Sequence, residues 1–321
     1  PDNFERDETP VENPGSGQML VRNIYLSVDP AMKGWISVAS NYSQPVGIGE
    51  VMRSVAVGQV MKSNLGNYES GDYVLGLFGW QEYAQSDGSD VWWKVDAAQA
   101  PIATSLGVLG LNGLSAYFGL MDIGQPKNGE TVVVSTGAGA VGSIVGQIAK
   151  IHGCRTIAIT GSDEKVEVCL DEFGYDAAIN YKTADLVAEL TAACPDGVHV
   201  YFDNTGGAIS DAVFNQLAVG ARIVICGTAA TASWDPPPLG PRVERQILVN
   251  RALMQGFIIF DFANRYEEGR GKLAAWMKDG KIRYREDFRE GLAAAPGALA
   301  EIYEGKNSGK MMVRVGEEQG D

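Results

Sequence analysis

The stretch TVVVSTGAGAVG at residues 131–142 decides the fold of this chain. A short apolar run, typical of a buried strand, leads directly into the pattern Gly-x-Gly-x-x-Gly. Its glycines are Gly137, Gly139 and Gly142. The first permits a tight turn, the second lets a pyrophosphate approach the backbone, and the third lets the next helix pack on the strand. The start of that helix, at Ala140 and Val141, would then meet the phosphates. The stretch predicts a dinucleotide-binding turn.

Strand and helix patterns alternate after this stretch. The expected strands are continuous apolar runs, as in a parallel sheet that helices cover on both faces. They lie at 131–135, 155–160, 177–180, 198–203 and 221–226, with helices at 140–151, 163–172, 184–193 and 208–217. This order predicts a doubly wound α/β domain.

Shorter β patterns dominate the chain before residue 100. Expected strands at 19–26, 51–61, 73–78 and 91–95 are separated by glycine, proline and asparagine turn signals. They predict a mainly antiparallel, barrel-like domain. Toward the other end, we expect a loop at 228–242, a strand at 254–260, a helix at 271–279 and a strand at 310–315.

The end of the second strand of the α/β domain indicates which dinucleotide binds. An NAD-binding chain would place an acidic residue about 20 positions after the glycine turn, to bind the ribose 2′-hydroxyl. This chain has Gly161 and Ser162 there, with Lys165 three residues further on. These residues favour the 2′-phosphate of NADPH over NADH. Asp163 and Glu164 lie beside them, and either oppose the phosphate or only favour the start of the helix.

Composition excludes several classes of partner. The 26 Lys and Arg against 40 Asp and Glu give a net charge of −14, which repels nucleic acid and anionic membranes. The four cysteines are scattered and there are two histidines, so we expect no disulfide framework and no catalytic metal. This cysteine usage favours a reducing, cytoplasmic location. The sequence begins at Pro1 without a methionine, so the question whether a leader segment precedes it stays open.

Five further stretches carry a family resemblance. They are YLSVDP (25–30), GWQEY (79–83), GLNGLSAYFGL (110–120), YFDNTGG (201–207) and GKNSGK (305–310). With the glycine turn, they make the chain resemble the zinc-independent branch of the medium-chain dehydrogenase/reductase superfamily. That branch holds leukotriene B4 dehydrogenases, prostaglandin reductases, alkenal double-bond reductases and curcumin reductases. The resemblance extends from about residue 17 to residue 315.

The resemblance implies two domains. A GroES-like catalytic domain at 1–108 would be completed by 269–321, and a Rossmann domain at 109–268 would bind NADP(H). Lys165 and Tyr181 would bind the 2′-phosphate end, and Asn204 the sugar-phosphate part. The nicotinamide would lie along Cys226, Gly227, Phe257, Ile258 and Ile259, and Asn307 would reach the phosphates. Each of these side chains also has a purely structural interpretation, as a turn former or as packing.

The resemblance further implies reduction of a carbon–carbon double bond conjugated to a carbonyl, by hydride transfer to the β-carbon. Such a reaction places charge on the carbonyl oxygen, which needs a hydrogen-bond donor. Tyr42 matches a cleft tyrosine of the family, although an exposed loop tyrosine would look the same. The chain has Ala232 where relatives carry another tyrosine near the nicotinamide, and Trp234 follows. This departure leaves the donor and the substrate range open.

The expected partner is therefore a small α,β-unsaturated aldehyde or ketone. Quinone reduction with the same NADPH is an alternative, and so is an NADPH-binding, redox-sensing protein without catalysis. The resemblance also implies a homodimer.

Overall fold

The computed structural model describes residues 3–37, 43–231 and 238–318. It divides into two compact units. The first comprises Pro1–Gly107 with Glu286–Asp321, and the second comprises Val108–Arg285. Among the described residues, no helix is both long and apolar enough to cross a membrane.

The strands, in chain order, are β1 (Met19–Ser27), β2 (Ala56–Ser63), β3 (Tyr73–Gly76), β4 (Tyr83–Ser86), β5 (Val91–Val95), β6 (Thr131–Ser135), β7 (Arg155–Thr160), β8 (Ala177–Asn180), β9 (Val198–Asp203), β10 (Leu217–Ile225), β11 (Leu253–Gly256), β12 (Glu286–Glu290) and β13 (Lys310–Arg314). The α-helices are α1 (Ala31–Trp35), α2 (Leu111–Phe118), α3 (Gly142–Ile151), α4 (Asp163–Glu167), α5 (Leu186–Ala193), α6 (Gly207–Phe214), α7 (Glu244–Asn250), α8 (Tyr266–Lys278) and α9 (Ala295–Glu304). Short 3₁₀ or π segments occur at Ile102–Leu106, Gly119–Gly124, Val168–Glu172, Ala229–Thr231, Ile259–Arg265 and Leu292–Ala294.

The second unit is a parallel six-stranded sheet in the order β11-β10-β9-β6-β7-β8. The chain builds outward from β6 in one direction, then returns to place β9 on its other side. The strand order therefore reverses between β6 and β9, the point at which ligands bind in open α/β sheets. This arrangement confirms the predicted doubly wound domain.

The first unit is a mixed sheet in the order β12-β13-β1-β2-β3-β5, with β4 also paired to β1. Its pairs are antiparallel except β12 with β13. Helix α9 packs Ala295, Ala298 and Leu299 into the hydrophobic core of this sheet. This mainly antiparallel sheet confirms the predicted β domain at the start of the chain.

Several features differ from the expectations, among them two in the C-terminal half of the chain. The strand predicted at 254–260 ends at Gly256, because the next residues turn into a 3₁₀ segment in which the Ile258 N–H donates to the Asp261 carboxylate (3.4 Å). Helix α8 belongs to the second unit, whereas the resemblance places the domain boundary near residue 268. Its Leu273 is fully buried, and its Gly269 lies against Leu114 of α2.

Candidate dinucleotide site

The glycine turn between β6 and α3 is shaped by backbone contacts that exclude side chains. A Cβ on Gly142 would lie 2.2 Å from the Thr136 carbonyl oxygen, and one on Gly139 would lie 2.8 Å from the Thr136 Cγ2. A Cβ on Gly137 would lie 2.5 Å from the Cβ of Ala158 on β7. Contacts this short are not seen between real Cβ atoms, so these positions require glycine. The turn has the form that a pyrophosphate needs for close approach to the backbone.

The start of α3 supplies N–H donors to the same turn. The Ser143 N–H bonds to the Gly139 carbonyl oxygen (3.0 Å). Helical geometry supplies no acceptor for the preceding N–H groups, those of Ala140, Val141 and Gly142. Below the turn, the buried Tyr175 hydroxyl donates to the Gly142 carbonyl oxygen (2.6 Å). The turn is therefore held from beneath while its N–H groups remain suited to an anion.

The residues predicted to favour NADPH over NADH follow the carboxyl end of β7. The partly buried Ser162 caps α4, where its hydroxyl accepts from the Lys165 N–H (3.3 Å). The Glu164 N–H, and with it the Ser162 hydroxyl, which also donates to this carboxylate, hold the pKa of the Glu164 carboxyl below its usual range. Ser162 is thus engaged within α4. The Tyr181 ring lies over Gly161, with its hydroxyl 3.5 Å from the place of a Cβ there.

The loop after β9 is organised by the carboxylate of Asp203, which is 2% exposed. It accepts hydrogen bonds from the Tyr201 hydroxyl (3.0 Å), the Ser135 hydroxyl (3.1 Å) and the Ser210 hydroxyl (2.5 Å). It also accepts from the N–H groups of Thr205 and Gly206, each at 2.9 Å. One carboxylate thereby joins the ends of β6 and β9 to the helix α6. The sequence analysis missed this role, because its partners are distant along the chain.

Hydrogen bonds fix Asn204, Cys226 and Gly227 to the ends of β6 and β9. The Asn204 side chain donates to the Ser135 carbonyl oxygen (2.8 Å), and its N–H donates to the Ser135 hydroxyl (2.8 Å). The N–H groups of Cys226 and Gly227 donate to the Asp203 carbonyl oxygen at 2.8 and 3.0 Å. Burial, with the nearby Asp203 charge, raises the pKa of the Cys226 thiol to about 12. The thiol is therefore protonated at neutral pH and unsuited to act as a nucleophile.

The residues at 257–259 follow the carboxyl end of β11. The Phe257 N–H donates to the Ile225 carbonyl oxygen (3.4 Å), and its ring meets Phe262 edge to face at a centroid distance of 6.0 Å. Ile258 caps the 3₁₀ segment, which begins at Ile259. The structure therefore gathers the glycine turn, Asn204, Cys226, Gly227 and this segment along the carboxyl edge of one sheet.

Of the remaining predicted residues, one belongs to the first unit and one is not described. Asn307 belongs to the first unit, where its side chain donates to the Gly309 carbonyl oxygen (2.9 Å) within a turn. Tyr42 lies outside the described residues, as do Ala232 and Trp234. In the parts of the chain that the structure describes, no group of three or more His, Cys, Asp or Glu side chains could hold a metal ion.

Comparison with known proteins places these features in a family. A family model described as the N-terminal domain of oxidoreductase matches residues 1–94, and one described as zinc-binding dehydrogenase matches residues 140–275. The chain is 42% identical to an NADPH-dependent curcumin reductase of Escherichia coli, over 98% of this chain and 92% of the relative. It is 36% identical to an NADP(+)-dependent 2-alkenal reductase of Nicotiana tabacum, over 95% and 89%.

A solved structure is similar over nearly the whole chain. CurA of Vibrio vulnificus in complex with NADPH is 43% identical and superposes with a TM-score of 0.92, over 97% of this chain and 94% of CurA.

Proposed function

Because this chain belongs to the zinc-independent branch of the medium-chain dehydrogenase/reductase family, we propose that it is an NADPH-dependent reductase of α,β-unsaturated aldehydes and ketones. The observation that carries the cofactor assignment is the glycine turn at the reversal point of the sheet, where no side chain fits. The relatives named for curcumin and 2-alkenals support the substrate class.

In this proposal the carboxyl edge of the sheet holds the cofactor. The N-terminus of α3 binds the pyrophosphate through its N–H groups, and Lys165 and Tyr181 bind the 2′-phosphate. Asn204 contacts the sugar-phosphate part, and Cys226, Gly227 and the segment 257–259 border the nicotinamide. When bound, NADPH supplies a hydride to the β-carbon of the substrate.

The carbonyl oxygen of the substrate gains negative charge during this reaction, and we assign Tyr42 as the donor to that oxygen. A neutral phenol suits the role, since its ordinary pKa is near 10. Tyr42→Phe should lower kcat for enones about tenfold to hundredfold, because one oxyanion hydrogen bond is lost. The dissociation constant for NADPH should not change. Tyr68→Phe, on the same unit, is the matched control, and an unchanged kcat in Tyr42→Phe would remove the assignment.

The family further supports a homodimer, and the edge strand β11 is its proposed interface. β11 pairs with β10 on one side, while Leu253 and Met254 on it are 53% and 44% exposed. The preceding helix α7 exposes Leu248. An apolar edge strand with open backbone groups favours pairing with another chain. Light scattering should therefore give the mass of two chains.

The thiols agree with a reducing, cytoplasmic location. Cys154, Cys169 and Cys194 are buried and free, and burial raises their thiol pKa values to about 11, about 12 and about 11. They pack as small hydrophobic side chains.

The experiment that tests the function compares NADPH oxidation with a trans-2-alkenal, an aryl enone and a quinone, with and without EDTA. We expect turnover of the alkenal and the enone that chelation does not reduce. Turnover of the quinone alone would favour the quinone reductase alternative. NADPH binding without turnover of any acceptor would favour a redox-sensing role.

A further inference from the structure

A second lysine lies at the carboxyl end of β7, where the sequence predicted the residues that favour NADPH over NADH. Lys165 lies on α4, which follows β7, and Lys182 lies in the turn that follows β8. β7 and β8 are neighbouring parallel strands, so their carboxyl ends meet at the same edge. Sequence spacing alone did not connect Lys182 with this edge, because 20 residues separate it from Ser162.

The backbone of Lys182 is fixed to both neighbouring elements. Its N–H donates to the Asn180 side-chain oxygen (3.1 Å), while the Asn180 amide donates to the Asp163 carboxylate at the start of α4 (2.7 Å). The adjacent Tyr181 N–H donates to the Thr160 carbonyl oxygen at the end of β7 (3.1 Å). The turn therefore holds Lys182 in a defined position relative to α4.

The side chain of Lys182 extends over Gly161. The Lys182 Cε lies 3.4 Å from the place that a Cβ on Gly161 would occupy, and the Tyr181 Cε1 lies 3.3 Å from it. Both side chains thus border Gly161, next to the position at which an NAD-binding chain would carry its acidic residue. Among the described residues, the Lys182 ammonium group has no ion-pair partner.

The charges at this edge call for more than one cation. Asp163 and Glu164 begin α4 and bring two negative charges, of which Lys165 offsets one. The hydroxyl of Ser162 already donates to Glu164. A 2′-phosphate adds further negative charge, and repulsion from both carboxylates would oppose it. With Lys182 included, the two lysines balance the two carboxylates.

We propose that Lys182 is a second cation for the 2′-phosphate of NADPH, acting with Lys165, and that it makes the site select NADPH over NADH. The inference rests on the proposed NADPH dependence and adds a specificity-determining residue to it. Lys182 contacts the phosphate only, so NADH, which has a hydroxyl there, gains nothing from it.

The test is isothermal titration of the full chain with NADPH and with NADH. Lys182→Met removes the charge and keeps the length of the side chain; Lys165→Met is the parallel variant. Lys127→Met is the matched control, since Lys127 is exposed and precedes β6, at the opposite edge of the sheet. Lys182→Met should raise the dissociation constant for NADPH about fivefold to tenfold and change that for NADH by less than about twofold. Lys182→Arg should restore tight NADPH binding.

Three results would overturn the inference. Unchanged NADPH affinity in Lys182→Met, with weakened NADPH in Lys165→Met, would leave Lys165 alone as the phosphate ligand and the proposed function intact. Equal weakening of NADPH and NADH by Lys182→Met would indicate a structural role of the turn. A wild-type chain that binds NADH as tightly as NADPH would remove the proposed cofactor dependence together with this inference.

Discussion

Two carboxylates, the buried Asp203 in the second unit and the partly buried Glu286 in the first, have opposite surroundings. Asp203 accepts five hydrogen bonds at the carboxyl edge of the parallel sheet. Glu286 begins the edge strand β12, and its Oε1 is buried without a hydrogen-bond partner among the described residues. Burial, together with the charge of Glu318, raises the pKa of Glu286 to about 7. The Asp203 carboxylate is therefore well supplied with hydrogen-bond donors, and the buried Glu286 oxygen is not.

Topology explains the difference. At the reversal point of the parallel sheet, the loops after β6 and β9 converge, so hydroxyl and N–H donors from separate segments reach one carboxylate. Glu286 pairs with Lys310 in the β12–β13 register, yet the Lys310 ammonium group donates instead to Asp29 (2.6 Å) and to the Val28 carbonyl oxygen (3.1 Å). Substitutions at the two carboxylates should therefore change stability in opposite directions.

The largest effect is expected at Asp203. Asp203→Ala leaves its buried donors without an acceptor and should lower the free energy of unfolding by about 4 kcal/mol. NADPH affinity should also fall, since Asn204 and Gly227 depend on the same loop. Urea denaturation and NADPH titration measure these changes.

Asp211→Ala on α6 is the matched control for this prediction. Burial raises the pKa of Asp211, so its charge is not stabilised in the folded chain and its removal should cost nothing. Equal losses in the two variants would contradict the special role of Asp203.

A somewhat smaller effect is expected from adding one methyl group at the glycine turn. Gly142→Ala forces a Cβ against the Thr136 carbonyl oxygen and should cost about 3 kcal/mol, with loss of NADPH binding. Gly271→Ala in α8 is the control, because its Cβ would enter open space. That variant should gain about 0.5–1 kcal/mol from helix propensity. Thermal unfolding with and without NADPH distinguishes the two variants. A Gly142→Ala protein that NADPH still stabilises would refute the role of the glycine turn in binding the cofactor.

The smallest effect, a gain, is expected at Glu286. Its pKa is about 7 in the folded chain against an ordinary value of 4.5. Between these pH values the folded chain keeps a proton that the unfolded chain has lost, so the free energy of unfolding decreases as pH rises through this window. Glu286→Gln should remove that decrease, and stabilise by about 1–2 kcal/mol at pH 8 and little at pH 4.5. Denaturation curves at both pH values check it; a gain independent of pH would exclude the titration of Glu286 as its cause.

The buried parallel strands were the part of the fold most readable from sequence. The patterns at 131–135, 155–160, 177–180 and 198–203 predicted β6, β7, β8 and β9 with their observed bounds. Both faces of these strands are covered, so each reads as an apolar run that ends at a polar turn. β12 was missed because its sequence, EDFRE, is mostly charged and forms a strand only by pairing with β13.

The site divides in the same way. The glycine turn is local, so its pattern predicted the backbone geometry that Gly137, Gly139 and Gly142 adopt. Asp203 and Lys182 each lie beside residues that are distant along the chain, and no spacing rule connects either with its neighbours before the sheet order is known. The roles of all the predicted cofactor and catalytic residues, Tyr42 and Asn307 among them, stay predictions.

The central claim, addition of hydride to the β-carbon of a conjugated carbonyl, is tested most directly by labelling the product. The purified chain would be given trans-2-hexenal and NADPH deuterated at its transferable position, and the product examined by NMR. We predict hexanal with deuterium on its β-carbon. Deuterium on the carbonyl carbon, in 2-hexen-1-ol, would contradict the account, as would an unreacted aldehyde.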